Sequence, residues 1–428
     1  MDAQIPLRMG NTGISLLTWL FVSFLPISAK ADLAKQHQAF ERVMLPGGRA
    51  ALMGGAYTAL SSDPAGLLYN PAGVSFSEQN QISLNSWSNF RSQTVYEGAV
   101  LGRDFQENST TRFGGFVGGL FQHKPFTLGY LIATPDNRKI NQDDVFTDLS
   151  STEGEVKNFT RIHQETSTHD LFGASLALKI GSSWSIGGLA LFYDRTIESM
   201  DYQQVEYNGG QTLVQETKVK VGNNGLMGSI GLSFKGEDVS LGLSTRVGQP
   251  LLDKGHLNLN SVSYPQSSSA PVITTFASDD YSDDAELIPP VTRLGIAYHP
   301  SSFFLLSTDL NYSSQLASNN TSPDRQAVLN YAVGFEVGPQ NYKLLAGFFT
   351  NNSLFPNVRG TAINERVHLD YIGRSGGISI ATKGFDLLLG YVRQQGTGKA
   401  EIIASSSNVQ PVRAVLENLV LSWNIKLK

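Results

Sequence analysis

Residues 226–235 (LMGSIGLSFK) and 239–248 (VSLGLSTRVG) lie on either side of a short break at Gly236-Glu237. In the first run Leu226, Ile230, Leu232 and Phe234 share one face, and Ser229, Gly231, Ser233 and Lys235 share the other. In the second, Val239, Leu241, Leu243 and Val247 oppose Ser240, Gly242, Ser244 and Arg246. A period of two sends successive side chains to opposite faces of a strand. Each run is about ten residues long, the length a tilted strand needs to cross a bilayer. A soluble sandwich also alternates, but it solvates its polar face with many charges. Here the second face is small and polar with scattered charges, so the pattern predicts a lumen on that face and lipid on the other.

The same alternation recurs on both sides of this hairpin. Leu128, Tyr130 and Ile132 oppose Thr127 and Gly129. Leu329, Tyr331, Val333, Phe335 and Val337 oppose Asn330, Ala332, Gly334, Glu336 and Gly338. Leu419, Leu421, Trp423, Ile425 and Leu427 oppose Asn418, Ser422, Asn424, Lys426 and Lys428. From Gln81 onward such segments number about fourteen, an even count as bacterial barrels require. Starts fall near Arg112, Phe126, Asp170, Trp184, Asn224, Asp238 and so on to Asn418. Short connections at His123-Lys124-Pro125, Gly181-Ser182-Ser183 and Gly236-Glu237 are expected periplasmic turns. Long polar connections at Asn137–His169, Glu198–Gly222, Leu251–Ile288 and Asn352–His368 are expected extracellular loops.

The whole-chain composition agrees. Of 428 residues only 16% are charged and 42 are Gly, which fits neither a typical soluble enzyme nor a disordered chain. The net charge of -5 gives no electrostatic footprint for nucleic acid. With no Cys, thiolate metal sites, disulfides and a lipidated N-terminal Cys are excluded. Arg8, the apolar stretch Ile14 to Ile27 and the small residues Ala29 and Ala31 read as a cleaved signal peptide over residues 1–31.

Residues 32–78 break the alternation. Gly47 to Leu60 is rich in Ala and Gly. Asp63-Pro64 and Asn70-Pro71 each place a capping side chain before a proline, the favoured first helical position. Short helices packed through Gly54, Gly55 and Ala56 are expected, forming a plug in the lumen of a barrel over residues 79–428.

This segment and the strands after it resemble the long-chain fatty acid transporter family of outer-membrane proteins (FadL/TodX). The residues that carry the resemblance are Gly48-Arg49-Ala50-Ala51, Asp63-Pro64-Ala65 and, above all, Tyr69-Asn70-Pro71-Ala72-Gly73, with Trp184 to Gly187 and Phe348 to Pro356 further on. The resemblance implies a fourteen-strand barrel whose N-terminal hatch shifts to release substrate sideways at a kink of the third strand. That strand is Phe126 to Pro135, with Tyr130 at its centre, and Pro135 either kinks it or ends it. In the family the Asn-Pro-Ala motif lies against the kinked strand, which would bring Asn70 near it. The implied gating residues are Asn70, Pro71, Ala72, Gly73, Asp63 and Pro64. Gly54-Gly55-Ala56 and Asp63-Pro64 resemble as closely a sister branch of PorV-like barrels that hold secreted protein cargo.

No catalytic constellation stands out. The seven His show no metal-ligand spacing, and His163 and His169 fall in an expected solvated loop. There is no G-x-S-x-G elbow, so an enzyme is not expected, nor is a cofactor. Asp279, Asp280, Asp283, Asp284 and Glu286 form an acidic cluster that reads first as a solvated loop and second as an oxygen-ligand Ca²⁺ site. Arg246, Arg293 and Arg393, with Lys235 and Glu336, are expected to face the lumen and pair there, or to meet a substrate carboxylate.

The sequence thus predicts an all-β membrane protein, a fourteen-stranded antiparallel transmembrane β-barrel with a small N-terminal helical plug. The resemblance implies uptake of small hydrophobic molecules across the outer membrane, and the PorV-like alternative is a cargo-binding scaffold. Expected partners are hydrophobic small molecules, outer-membrane lipid and lipopolysaccharide, and the barrel insertion machinery. Lys428 stands where such barrels usually end in an aromatic, and Trp423 is the nearest one.

Overall fold

The computed structural model describes residues 45–100, 102–151, 154–264, 271–281, 288–317, 325–359, 367–400 and 409–427. The expected signal peptide, residues 32–44 of the expected plug, and Asp283, Asp284 and Glu286 lie outside these residues. The main body is one antiparallel sheet of strands β1 (Asn80–Val100), β2 (Arg103–His123), β3 (Phe126–Ser151), β4 (Gly154–Ile180), β5 (Trp184–Tyr207), β6 (Thr212–Lys235), β7 (Val239–Tyr264), β8 (Val272–Tyr281), β9 (Val291–Tyr298), β10 (Phe304–Ser313), β11 (Val328–Val337), β12 (Tyr342–Asn351), β13 (His368–Ala381), β14 (Phe385–Ala400) and β15 (Gln410–Leu427).

The sheet closes because β1 pairs with β15 from Asn80↔Leu427 to Tyr96↔Val412. β8 pairs only with the far part of β7, from Gly255 to Ser263, so the barrel itself has fourteen strands, each next to its sequence neighbour. Closure leaves the sheet without an open edge, which a bilayer demands. Outward residues along the strands are apolar: Leu128, Ile132, Ile230, Leu241, Leu294, Leu389 and Leu421 are all exposed. Trp184, Tyr298, Phe303, Tyr342, Phe385 and Trp423 ring the short-turn end of this band, and Phe172, Phe192, Tyr312 and Tyr331 ring the other. Such girdles mark the two membrane interfaces of outer-membrane barrels. The faces assigned to residues 226–248 hold: Ser229, Gly231, Ser233, Ser240, Gly242 and Ser244 are buried inward.

Three of the expected loops are strand instead. β3, β4, β5, β6 and β7 run for 26, 27, 24, 24 and 26 residues, whereas β9 has 8 and β10 has 10. The ladder continues through Asn137–His169 and Glu198–Gly222, and through most of Leu251–Ile288 as the β7–β8 hairpin. Beyond the membrane both faces of a strand meet polar surroundings, so apolar alternation vanishes although the hydrogen bonds persist. For the same reason β2, β4, β6 and β15 begin before the expected Arg112, Asp170, Asn224 and Asn418. The Asn352–His368 connection is irregular over its described residues 352–359.

Inside the barrel lies the segment 45–79. It holds one short α-helix, α1 (Gly48–Leu52), and two 3-10 turns at Pro64–Leu68 and Gly73–Phe76. It sits at the short-turn half, the periplasmic side by loop length. Gly54 and Gly55 adopt φ 65 and φ 83. They do not join helix to helix as expected: Gly54 abuts the backbone of Gly347 and Phe348, and Gly55 faces the Leu45 side chain.

Candidate functional site

The inner segment is built by short-range rules and then fastened to the wall. Asp63 Oδ1 accepts from Gly66 N at 3.0 Å, capping the turn that Pro64 opens, and Asp63 Oδ2 accepts from Tyr57 OH at 2.7 Å. Asn70 Oδ1 accepts from Ala72 N at 3.1 Å across Pro71. The Asp63 cap is where the sequence places it, whereas Asn70 closes a turn over Pro71 instead of capping a helix, since the next 3-10 turn begins at Gly73 with Ala72 at its N-cap and no side-chain cap bond. The Asn70 amide nitrogen donates to Thr58 O at 3.1 Å and to Leu232 O at 3.0 Å. Leu232 belongs to β6, so Asn70 does not lie against β3 as the resemblance implied. It docks there because Gly231 has no side chain: a Cβ at that position would come within 2.0 Å of Asn70 Oδ1. Gly187 likewise leaves room for the Pro71 and Ala72 backbone, and Gly73 packs onto Ser61. The side of the segment nearest β2 and β3 is carried by Pro64 beside Gly118 and Leu67 beside Gly129.

Several strands contribute polar anchors. Asp309 of β10 accepts from Tyr57 N at 3.0 Å and Thr58 N at 2.9 Å. Ser185 Oγ donates to Ala72 O at 2.9 Å, Ser244 Oγ to Tyr69 O at 2.6 Å and Ser375 Oγ to Leu52 O at 2.8 Å. Asn85 Oδ1 accepts from Gly48 N at 2.9 Å. Arg49 Nε donates to Glu336 Oε1, and Lys343 reaches the other oxygen at 3.2 Å. Glu336 therefore makes the inward ion pair expected of it, with the inner segment as partner. Asp309 escaped the sequence reading, although its inward place on an alternating strand was the available signal.

Above the segment the lumen divides into two surfaces. One is apolar: Trp87, Phe116, Leu131, Ala133, Leu171 and Leu191 pack with Leu67 and Val74 of the segment. The other is basic. Arg293 Nη1 donates to Leu68 O at 2.5 Å, and its guanidinium lies 5.4 Å from the Tyr69 ring. Arg246 faces Arg293 and, together with Arg195, faces His169. His169 is buried on the inward face of β4, 6.1 Å from the Tyr193 ring, and is not a solvated loop residue. Arg393 departs from expectation: it points outward on β14 and pairs with Glu417 at 3.5 Å. Lys235 faces inward but is exposed at the periplasmic mouth.

The third strand does not end at Pro135. β3 runs on to Ser151, with a bulge against β4 between Ala133 and Asp136. On its other side the β2–β3 ladder stops at Gly115↔Thr134 and resumes at Thr111↔Arg138, so residues 112–114 and 135–137 make no rung with each other. Pro135 supplies no N–H there. β1 is irregular at the same level, at Asn89. Tyr130 lies outward beside Phe121, with ring centroids 6.0 Å apart, and Phe126 begins the strand at the lower girdle.

Beyond the membrane, the inward faces of β3, β4 and β5 bury an ion network. Arg138 pairs with Glu165, and Arg161 pairs with Asp201 through Nε at 2.8 Å. His163 bridges them, with Nδ1 3.1 Å from Asp201 and Nε2 3.5 Å from Glu165. Burial alone would lower the His163 pKa, but hydrogen bonds to Asp201 and Glu165 outweigh it and push the imidazole up to about 9. Burial works against the Glu165 carboxylate too, yet Arg138 holds it down at about 2. His163 was also misread as solvated, because its strand lacks apolar alternation.

Asp279 and Asp280 fall in β8, and among the described residues no group of three or more candidate ligands could hold a metal ion.

The sequence matches no protein-family model and no curated protein. Its structure is similar to that of the toluene transporter TodX of P. putida, with 12% identity, TM-score 0.62, and coverage of 89% of this chain and 98% of that one. It is similar also to a FadL homologue of Pseudomonas aeruginosa (12% identity, TM-score 0.58, 89% and 97% covered). The toluene transporter TbuX of Ralstonia pickettii gives 14% identity, TM-score 0.56, and 89% and 98% coverage. At this identity the likeness establishes architecture: the chain has the closed fourteen-stranded outer-membrane barrel fold of the FadL and TodX structures.

Proposed function

We propose that the chain is an outer-membrane channel for small hydrophobic molecules, with residues 45–79 as its hatch and the β2–β3 interruption as its sideways exit. The observation that carries this reading is the buried apolar cluster of Trp87, Phe116, Leu131 and Ala133 against Leu67 and Val74 of the segment, which movement of the segment would open. Phe116 lies on β2 and Leu131 and Ala133 on β3, the two strands whose mutual ladder is interrupted at residues 112–114 and 135–137. An apolar molecule on that surface would meet no charge before reaching the level where the wall's own ladder is absent. The architectural neighbours are described as toluene transporters, a monoaromatic hydrocarbon channel and a FadL homologue, which supports the substrate class. Arg246 and Arg293, on the opposite wall, would select among substrates by holding a carboxylate.

The test is entry of labelled toluene and of a long-chain fatty acid into proteoliposomes. Wild type should pass at least one of them faster than empty vesicles do. Ala133→Arg, which sets a charge on the apolar surface, should slow entry without changing heat-modifiable migration. Entry at the rate of empty vesicles would reject the channel. Protein capture at the outer face is the second reading. The long paired extensions of β3 to β7 favour it, since they build a rigid surface beyond the membrane. Cargo pull-down without hydrocarbon entry would select that reading.

A further inference from the structure

Four charged residues stand directly opposite one another on the outer wall. Arg374 of β13 faces Arg393 of β14, Arg393 faces Glu417 of β15, and Glu417 faces Arg91 of β1. All four point away from the lumen. Arg91 does so because the bulge between Asn89 and Arg91 reverses the facing of β1 at this level. The row carries three positive charges and one negative. Glu417 is shared, 3.5 Å from Arg393 and 3.9 Å from Arg91, and Tyr391 OH donates to it at 2.9 Å. Among the described residues Arg374 has no ion-pair partner. Like charges directly opposite on neighbouring strands destabilise a sheet, so Arg374 facing Arg393 is a cost that the one carboxylate of the row, held between Arg393 and Arg91, offsets only in part.

The height of the row says what would offset it. Eight residues separate Phe385 of the lower girdle from Arg393, about 26 Å of strand, or about 20 Å across the membrane at a tilt near 40°. Leu389, Leu419 and Leu421 fill the wall below. The apolar band of such barrels is about 25 Å tall. The arginines therefore emerge at its outer edge, and long side chains extend their charge further toward headgroups. The row is local rather than a girdle. One rung of similar height between β4 and β5 presents Asp170 opposite Asp194, also facing outward.

We infer that Arg374, Arg393 and Arg91 form a binding site for the phosphate groups of an outer-leaflet glycolipid. The inference rests on the membrane-spanning orientation proposed above, not on the transported substrate. Guanidinium forks match phosphate oxygens with paired donors. A phosphate above the row would turn the Arg374–Arg393 repulsion into a shared attraction.

The test reconstitutes the full chain in phosphatidylcholine vesicles with increasing diphosphorylated lipid A, and reads the temperature at which the folded barrel is lost. Wild type should gain stability with lipid A. The Arg374→Gln/Arg393→Gln variant should need on the order of 25-fold more lipid A for the same gain, about five-fold for each arginine. In pure phosphatidylcholine the same variant should be at least as stable as wild type, because the repulsion is gone. Arg413→Gln, four residues higher on β15 and paired with Glu97 at 2.6 Å, should keep the full lipid response. An undiminished lipid response in the double variant would overturn the inference, as would an equal loss of stability in both membranes. Stabilisation by soluble pyrophosphate to the same degree would reject the lipid as its source. Toluene entry is read in the same vesicles, so failure of the channel leaves this result standing.

Discussion

Asn70 offers the sharpest perturbation of the proposed hatch. Its side chain is fully buried and makes three hydrogen bonds: two from Nδ2, to Thr58 O and Leu232 O, and one to Oδ1, from Ala72 N. Each is worth about 1 kcal/mol net. Only the bond to Leu232 O reaches the wall, so Asn70→Ala should weaken docking of the segment by about 1 kcal/mol, a shift on the order of five-fold in its docked-to-undocked ratio. The barrel ladder is untouched, so heat-modifiable migration should not change. The assay is single-channel conductance in planar bilayers, where a released segment opens the lumen to ions. Gly231→Ala should act alike, since its new Cβ would lie 2.0 Å from Asn70 Oδ1. The double variant distinguishes a docking effect from general damage. With Asn70 truncated, the nearest remaining atom to that Cβ is Pro71 Cδ at 3.2 Å. The second substitution should then cost little, and the two effects should not add. Wild-type conductance in both single variants, or strict additivity in the double, would refute docking at this contact as the gate.

Three further outcomes follow from the charged groups. Glu336→Ala should raise leak conductance more than Glu336→Leu/Arg49→Met, because a buried pair stripped of one partner costs about 3–5 kcal/mol whereas its apolar replacement is near neutral; bilayer recordings of the two compare them. Hydrogen exchange of β3 to β5 should rise on the alkaline side, since the folded His163 pKa of about 9 exceeds its ordinary 6.5. The stabilisation, at most about 3 kcal/mol, is complete below 6.5, fades as pH rises through 9, and should be absent in His163→Leu. Arg246→Ala should slow entry of a long-chain fatty acid several-fold and leave toluene entry unchanged, as measured in proteoliposomes.

The sequence announced some of this structure and concealed the rest for physical reasons. Alternation was legible wherever one face meets lipid, so Leu226 to Gly248 could be assigned side chain by side chain. It failed above the membrane, where Gln164 and Thr166 point outward and the equally polar Glu165 and Ser167 point inward. Arg393 was assigned to the lumen because Leu387, Leu388 and Leu389 blur the two faces of β14. Counting in twos from the exposed Phe385 would have put it outside. The cap at Asp63 is local and therefore legible, whereas Asn70 closes a turn over Pro71 where a helix cap was expected. Where Asn70 docks depends on which strand offers a gap, and that information sat in Gly187 of β5 and Gly231 of β6, more than a hundred residues away.

The way the inner segment is held also points to the direction in which it would yield. Its polar bonds run to Ser185, Leu232 O, Ser244, Arg293, Asp309, Glu336, Ser375 and Asn85, an arc from β5 round through β13 to β1, with a longer bond of 3.4 Å from Gln122 of β2 to Val74 O. Toward β3 the described contact is Leu67 against the Gly129 backbone, and toward β4 the segment offers the Phe76 ring to Lys179 at 5.3 Å. Bonds of the first kind are directional and are lost together when geometry fails, whereas an apolar contact weakens gradually and can re-form after sliding. A hatch hinged on the bonded arc would swing away from β3. That motion would widen the passage beneath Phe116 and Ala133, on the side where the β2–β3 ladder is already open. The same sequence features thus favour a small sideways route for apolar molecules over expulsion of the whole segment, which would require breaking the entire arc at once.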